Sequence, residues 1–441
     1  LSWYFAPVRP AQIKEDHAMA INDIPAAAVG TAPTVPGSQP GAGLKIGILG
    51  PYLLFATLCW GIPSSSVGTL LQALLAQTNN EDKVQLAAVT GTVSAILGVV
   101  AALIVGALSD RTRSRFGARK PWILGTAVFS AVSLTSMLVA PNFPLIFVCF
   151  VLFQAGLAAM VVSLSALLPD HIPADRLGRA SSLIGLGNLL GLALGGVVAS
   201  FFITTPRVGL ATVPWLMVVA ALVGWFVIPK SSTLDRPKER IGLTALFTSL
   251  KPPADRDFWL VFGGRLAFLL AMLTVVGYQL YVLTDYFEAS DEEAGSILAL
   301  SGIILAGGAC VSTVLFGALS DKLKRRKPFI IGAALVIAVA LGLLLTSREP
   351  STFLLFSAVA SLAYGTYISV DQAMMVEVLP DQDAAAKDLG FLTVANTAPG
   401  IFAPGLAAVL VAGGGYPLVF IGAMIIAAAS ILFVLPIKRV R

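Results

Sequence analysis

Gly106-Ala107-Leu108-Ser109-Asp110 returns 211 residues later as Gly317-Ala318-Leu319-Ser320-Asp321. Leu168-Pro169-Asp170 returns at the same offset as Leu379-Pro380-Asp381. Two separate matches at one displacement mark an internal repeat. Each copy of the longer motif ends an apolar run and opens a basic cluster: Arg111, Arg113, Arg115, Arg119 and Lys120 after the first, Lys322, Lys324, Arg325, Arg326 and Lys327 after the second. A carboxylate followed by Lys and Arg at the end of a long apolar run is how a chain leaves a bilayer on its positive side.

The rest of the 441-residue chain agrees. Hydrophobic types make up 57% and charged types 12%, about half the charge of a typical soluble domain. That excludes a water-soluble multidomain enzyme, and so much apolar surface excludes disorder. Apolar runs bounded by charges or Pro/Gly clusters predict twelve helices, near 46–76, 84–109, 121–140, 143–168, 179–204 and 208–229, then 257–287, 294–320, 328–346, 352–379, 389–412 and 416–436. Spans of roughly 20 residues suffice to cross a bilayer. The fold expected is an all-α membrane protein, with twelve transmembrane helices in two parallel six-helix repeats around a central cavity; an even number of spans per repeat gives both the same orientation. Residues 1–44 are expected to be a disordered cytoplasmic tail, 45–229 the N-terminal six-helix bundle, 230–256 a polar cytoplasmic linker, 257–436 the C-terminal bundle and 437–441 a short cytoplasmic tail. No signal peptide is apparent, so the run from Ile46 is expected to serve as its own targeting signal.

On this topology, 25 of the 29 Lys and Arg fall on the side of both termini and 3 on the other, Lys83, Arg207 and Arg348. The bias puts both termini in the cytoplasm, with the plasma membrane as the expected location. The net charge of +5 is then a topology signal, not a nucleic-acid-binding field. Cys59, Cys149 and Cys310 lie far apart in apolar runs, without metal spacing.

The stretch Gly106 to Trp122 resembles the signature of the major facilitator superfamily: Gly106, then Asp110-Arg111, then Gly117 and the basic pair Arg119-Lys120. The usual signature has one residue between Arg and Gly; here five intervene, Thr112 to Phe116. That longer form is similar to sucrose transporters and related glycoside:cation symporters. The resemblance spans roughly 45–436. It implies a cytoplasmic gate in which Gly106, Asp110, Arg111, Gly117 and Arg119 take part, with Asp321 and Arg325 as the second copy, beside Arg326. Physically, Gly106 permits close helix approach, and Asp110 is placed to meet a neighbouring helix N-terminus or an Arg of its own loop. The competing explanation is a stop-transfer cluster that only fixes topology.

Two charges interrupt the apolar runs. Arg265 lies about 12 Å, and Asp371 about 13 Å, from the cytoplasmic helix ends at ~1.5 Å per residue. Isolated charges at that depth cost several kcal/mol, so a pair is expected. Resemblance to the superfamily implies that helices 1, 4, 7 and 10 line the cavity. The pair is then a substrate or proton site, or alternatively a salt bridge stiffening the C-terminal half. Tyr364, Tyr367 and Asp371 share one helical face, with Gln372 nearby. Gln279, Gln154, Ser65, Thr69 and Gln72 complete a polar inventory for the substrate and ion cavity; the alternative for any one of them is ordinary helix bridging. Asn188 and Asn396 are candidates for bonds across helices, and Pro399 and Pro404 for a kink.

Helix 4 lacks the Arg of proton-driven drug antiporters, and also the acid that plant sucrose transporters carry there, which leaves the coupling ion open. No Walker loop, zinc spacing or nucleophile elbow is present. The chain is expected to be no enzyme and to need no cofactor or metal. The function expected is secondary active transport of a polar small solute, a sugar or glycoside, by alternating access with cation symport, H+ before Na+, as a monomer in the lipid bilayer. The alternatives are a proton-driven efflux antiporter for amphipathic compounds and a transporter-like sensor without net flux.

Overall fold

The computed structural model describes residues 46–172, 177–229, 255–378 and 385–437. The tail 1–44, most of the linker 230–256, residues 438–441 and the Leu379-Pro380-Asp381 motif lie outside them. Among the described residues the regular structure is entirely helical, and ten helices are long and apolar enough to cross a membrane.

The first half of the chain contains α1 (Ile46–Thr78), α2 (Lys83–Arg111), α3 (Lys120–Thr135, prolonged by a 3-10 turn, Ser136–Val139), α4 (Phe143–Ser165) and α5 (Leu177–Phe202). A short helix, Leu167–His171, follows α4, and α6 comes in two pieces, Pro206–Thr212 and Trp215–Val227. The second half contains α7 (Arg256–Val276), α8 (Asp291–Leu323), α9 (Lys327–Leu343) and α10 (Thr352–Val378). The last helical stretch, Ala385–Val434, leaves helical geometry only at Gly414 and Gly415, where Gly415 has φ +72°. The segment before that break is α11 and the one after it α12. The break therefore lies at the glycines, not at Pro399 or Pro404, which stay inside α11.

Side-chain caps set several starts. Asn142, Asp255 and Ser290 accept from the backbone N–H three residues on, at 3.3, 3.1 and 3.3 Å, each worth about 1 kcal/mol. The expected single helix 257–287 is interrupted. α7 ends at Val276, and Gln279–Tyr281 and a π-turn, Val282–Tyr286, follow. The interruption frees the Gly277 carbonyl, which accepts from Gln72 Nε2 of α1 at 2.7 Å.

Buried apolar side chains form two clusters. One holds only residues of the first half, from Leu49 to Ile228. The other is built from Phe258 to Ile437, joined by Ala73, Val84 and Ile203. Large apolar side chains such as Leu103, Ile104, Phe226, Val314, Leu315 and Leu432 are exposed. Soluble monomers rarely expose contiguous apolar patches beyond a few hundred Å², so this outer surface is suited to lipid. With no hydrophobic drive between helices in lipid, close approach must do the packing. A Cβ at Gly191 of α5 would lie 2.7 Å from the Gly61 Cα of α1. Nothing larger than glycine fits that crossing.

The halves meet where α5 packs on α8 and α2 packs on α11. Several of their contacts lie at the end carrying the 79–82 turn. Cross-half hydrogen bonds there include Tyr281 Oη to the Gln72 carbonyl (3.0 Å), Tyr278 Oη to the Val84 carbonyl (3.3 Å) and Thr92 Oγ1 to the Ile401 carbonyl (3.1 Å). Among the described residues, these bonds join the halves at the 79–82 end.

Candidate functional site

Beneath the closed end lies a cavity of about 240 Å³, bounded by α1, α5, α7, α8 and α10. Ser65, Thr69 and Gln72 face it from α1, Met272 and Val276 from α7, Gln279 from the turn after α7, Ser301 from α8, and Phe353, Phe356 and Ser357 from α10. None of its lining residues is Asp, Glu, Lys, Arg or His. Gln279 Nε2 donates to Thr69 Oγ1 at 3.4 Å and Ser65 Oγ to the Leu192 carbonyl at 3.3 Å. The Ser301 and Ser357 hydroxyls donate to their own helices, to the Leu298 and Phe353 carbonyls, which leaves their lone pairs as acceptors. Gln72 Oε1 is buried and has no hydrogen-bond partner. The chemistry offered is uncharged donors and acceptors beside two aromatic rings.

Arg265 and Asp371 do form a pair. Arg265 Nη1 bonds Asp371 Oδ2, and Arg265 Nε bonds Asn396 Oδ1 of α11. Both ions are sealed: Arg265 is 1% exposed and Asp371 0%. Arg265 Nη1 also lies 3.1 Å from Met375 Sδ. Tyr367 stacks on Phe268 with ring centroids 3.7 Å apart, next to the pair. The charges do not line the cavity. Arg265 precedes Met272 by seven residues and Asp371 follows Ala360 by eleven, so they lie about 10–16 Å toward the basic end at ~1.5 Å per residue.

Of the other candidates, Ser65, Gln72 and Gln279 reach the cavity. Tyr364 and Gln154 are half-buried and Gln372 is exposed, and none of the three lines it. Gln372 lies about 100° around the helix from Asp371 and so faces elsewhere. Ser301, Ser357, Met272, Phe353 and Phe356 were not singled out by sequence. A Ser or Phe in an apolar helix carries no signal of its own until the helix rotation is known.

At the basic end, Arg119 bonds Asp110 Oδ1 at 2.5 Å and Ser109 Oγ at 2.9 Å. Asp110 thus meets an Arg of its own loop. Gly117 sits at φ +97°, which allows this loop to turn back. Gly106 faces Val162 of α4, and Arg111 closes α2. The second copy repeats the arrangement with Arg326, which bonds Asp321 Oδ1 (2.5 Å) and Ser320 Oγ (3.0 Å). Arg325, the residue expected there, instead accepts at its carbonyl from Ser320 Oγ at 3.1 Å, because Lys324 at φ +51° turns the shorter loop. The next residues also correspond: Lys120 Nζ donates to the Trp225 carbonyl at 2.9 Å, and Lys327 Nζ to the Ile437 carbonyl.

The family model described as MFS/sugar transport protein matches residues 54–388. No curated protein sequence matches the chain. Among solved structures, a D-xylose-proton symporter superposes with a TM-score of 0.67 at 16% identity, over 90% of this chain and 98% of that one. A bacterial homologue of the human lysosomal transporter Spinster, in an inward-facing and occupied conformation, gives 0.66 at 14% identity, over 89% and 96%. A POT family transporter in complex with a thioalcohol-conjugated peptide gives 0.68 at 11%, over 88% and 95%. At these identities the structures speak for the fold alone. The family match covers most of the chain, and the helical bundle, the lipid-suited surface and the repeated Ser-Asp/Arg clusters agree with it: the chain belongs to the MFS/sugar transport protein family, multi-pass membrane transporters and not enzymes.

Proposed function

We propose that this protein is a secondary transporter that carries a neutral, polyhydroxylated solute of single-sugar size through the membrane with a cation. Counting α9, at 17 residues, and taking α11 and α12 separately raises the spans to twelve, six in each of two parallel repeats. The basic end is cytoplasmic, as are both termini, and the bilayer is the plasma membrane. The end at which the halves are bonded together is then the extracellular one.

The observation that carries the reading is the cavity. A volume of about 240 Å³ is below the roughly 300–1,000 Å³ of pockets for drug-sized ligands. Its lining has no ion to neutralise a charged substrate. Hydroxyl and amide groups beside Phe353 and Phe356 match a ring with polar edges and apolar faces. The family whose model matches the chain is described as MFS/sugar transport protein, which supports the same class of cargo.

Arg265, Asp371 and Asn396 are the ion-coupling group in this reading. Protonation of Asp371 releases half of the grip on Arg265, while Asn396 Oδ1 keeps the guanidinium held. Asn396 thereby limits the cost of an unpaired buried charge. The Ser109/Asp110/Arg119 and Ser320/Asp321/Arg326 clusters belong to the cytoplasmic gate.

The test is uptake of a labelled sugar panel by proteoliposomes under a pH gradient, a Na+ gradient, or neither. Accumulation of at least one neutral sugar above equilibrium under the pH gradient is expected. Accumulation only under Na+ replaces the proton. No gradient-driven accumulation of any sugar sinks the symport reading.

A further inference from the structure

We propose that Lys83, Asp285 and Tyr416 form a charge latch between the two halves that holds the extracellular end shut and must part for the transporter to face outward.

Lys83 is the first residue of α2. A cation there opposes the helix dipole, which favours anions at N-termini, so local helix stability does not explain it. Its explanation lies across the molecule. Lys83 Nζ donates to Asp285 Oδ1 at 2.7 Å and sits 5.1 Å from the Tyr281 ring centroid. Asp285 belongs to the π-turn after α7, a distortion that recurs at functional positions. Its carboxylate also accepts from Thr284 Oγ1 (3.0 Å) and, at Oδ2, from the Tyr416 hydroxyl (2.8 Å). The side chains of Lys83 and Asp285 are 11% and 26% exposed, mostly out of water, where ion pairs gain more than at an open surface.

The other two basic residues of this end stay within their own halves. Arg207 Nη1 donates to the Met137 and Ala140 carbonyls at 2.8 Å. Arg348 Nη1 donates to the Tyr286 carbonyl at 2.9 Å and lies over that ring. Lys83 is the one of the three whose bond crosses between halves.

The latch borders a second cavity, of about 370 Å³, which includes Ala73, Gln77, Tyr281 and Asp291. Ala73 directly follows Gln72, and Tyr281 bonds the Gln72 carbonyl, so that closure separates this cavity from the solute cavity. When the halves rock apart here, Lys83 leaves with α2. Asp285 keeps Tyr416 and Thr284, both on its own half. The carboxylate therefore stays hydrogen-bonded in the parted state and the latch closes again without a stranded acceptor.

The proposal rests on alternating access of the two halves but on no particular solute, so its test needs none. Ala73→Cys, in a Cys310→Ser background, reports access to the outer cavity when a membrane-impermeant maleimide is added to intact cells. Lys83→Gln and Asp285→Asn are each expected to raise the labelling rate about three- to tenfold, the equivalent of a partly buried ion pair. Lys83→Asp combined with Asp285→Lys is expected to bring the rate back toward that of the parent. Unchanged labelling in both single variants overturns the latch, and so does failure of the reversed pair to restore closure. If neither charge variant reaches the cell surface, Tyr416→Phe decides: it removes a partner that the carboxylate keeps in the parted state, so slower labelling supports the proposal and unchanged or faster labelling overturns it. A failed sugar-uptake assay would leave this labelling result standing.

Discussion

At the scale of residues, the Arg265–Asp371 pair carries the sharpest expectation. Removing one buried partner strands the other at a cost of about 3–5 kcal/mol, whereas replacing both with apolar residues is often neutral. Asp371→Asn should therefore lower the thermal stability of the purified protein markedly, and Arg265→Met with Asp371→Leu should recover most of it. If the pair is the coupling group, the recovered double variant still fails to accumulate solute in proteoliposomes. Normal accumulation by that stable variant would make the pair a structural strut. These two charges were legible in the sequence because a charge inside an apolar run is rare and expensive. Asn396 was legible only as a polar group able to bond across helices. Gln372, next to Asp371 in sequence, is exposed and does not line the cavity, because adjacency along a helix is not adjacency in space.

At the scale of elements, helix positions could be read within a few residues from hydrophobic runs, and the interruptions could not. The sequence reading continued α7 through to 287, since Val276 to Tyr286 is apolar enough; the Gly277 carbonyl finds its partner on α1 instead. Prolines drew attention in α11, yet helical geometry fails at Gly414 and Gly415, where two glycines lift the steric limit on φ. The α1–α5 crossing yields a prediction at this scale. Gly191→Leu places a side chain where only 2.7 Å separates the built Cβ from Gly61. The two helices must separate, and the variant is expected to lose several °C of melting temperature in detergent, on the order of 1–3 kcal/mol for overpacking. Gly185→Ala, on the same helix but with open space before it, should melt like the parent.

For the whole molecule, two short sequence matches at one offset point to a repeat, and the longer of the two is accompanied by like contacts in both copies. Arg119 and Arg326 each grip a Ser-Asp pair, and Lys120 and Lys327 each reach a carbonyl at the end of a half. Which end is closed was not legible, because open and closed arrangements use the same sequence and differ by a few kcal/mol. The closed end can be fixed covalently. A Cβ at Gly295 of α8 would lie 3.4 Å from the Ser200 Cβ of α5, close to the roughly 3.5–4.5 Å spacing that a disulfide spans. Ser200→Cys with Gly295→Cys should form a bond on mild oxidation that arrests transport, and a reductant should restore it. Oxidised protein that transports at the unmodified rate would mean the halves do not separate there.

The lysine grips also bear on how the chain is built during synthesis. Lys120 waits at the start of α3 for a carbonyl more than a hundred residues later, at Trp225. That acceptor lies ahead of residue 256, where the second half begins. The first half can therefore tie off its own last helix while the ribosome is still making the second, and Lys327 repeats the step with Ile437, just past the end of α12. Each half thus carries within itself the contact that secures its last helix, which allows the two bundles to close separately.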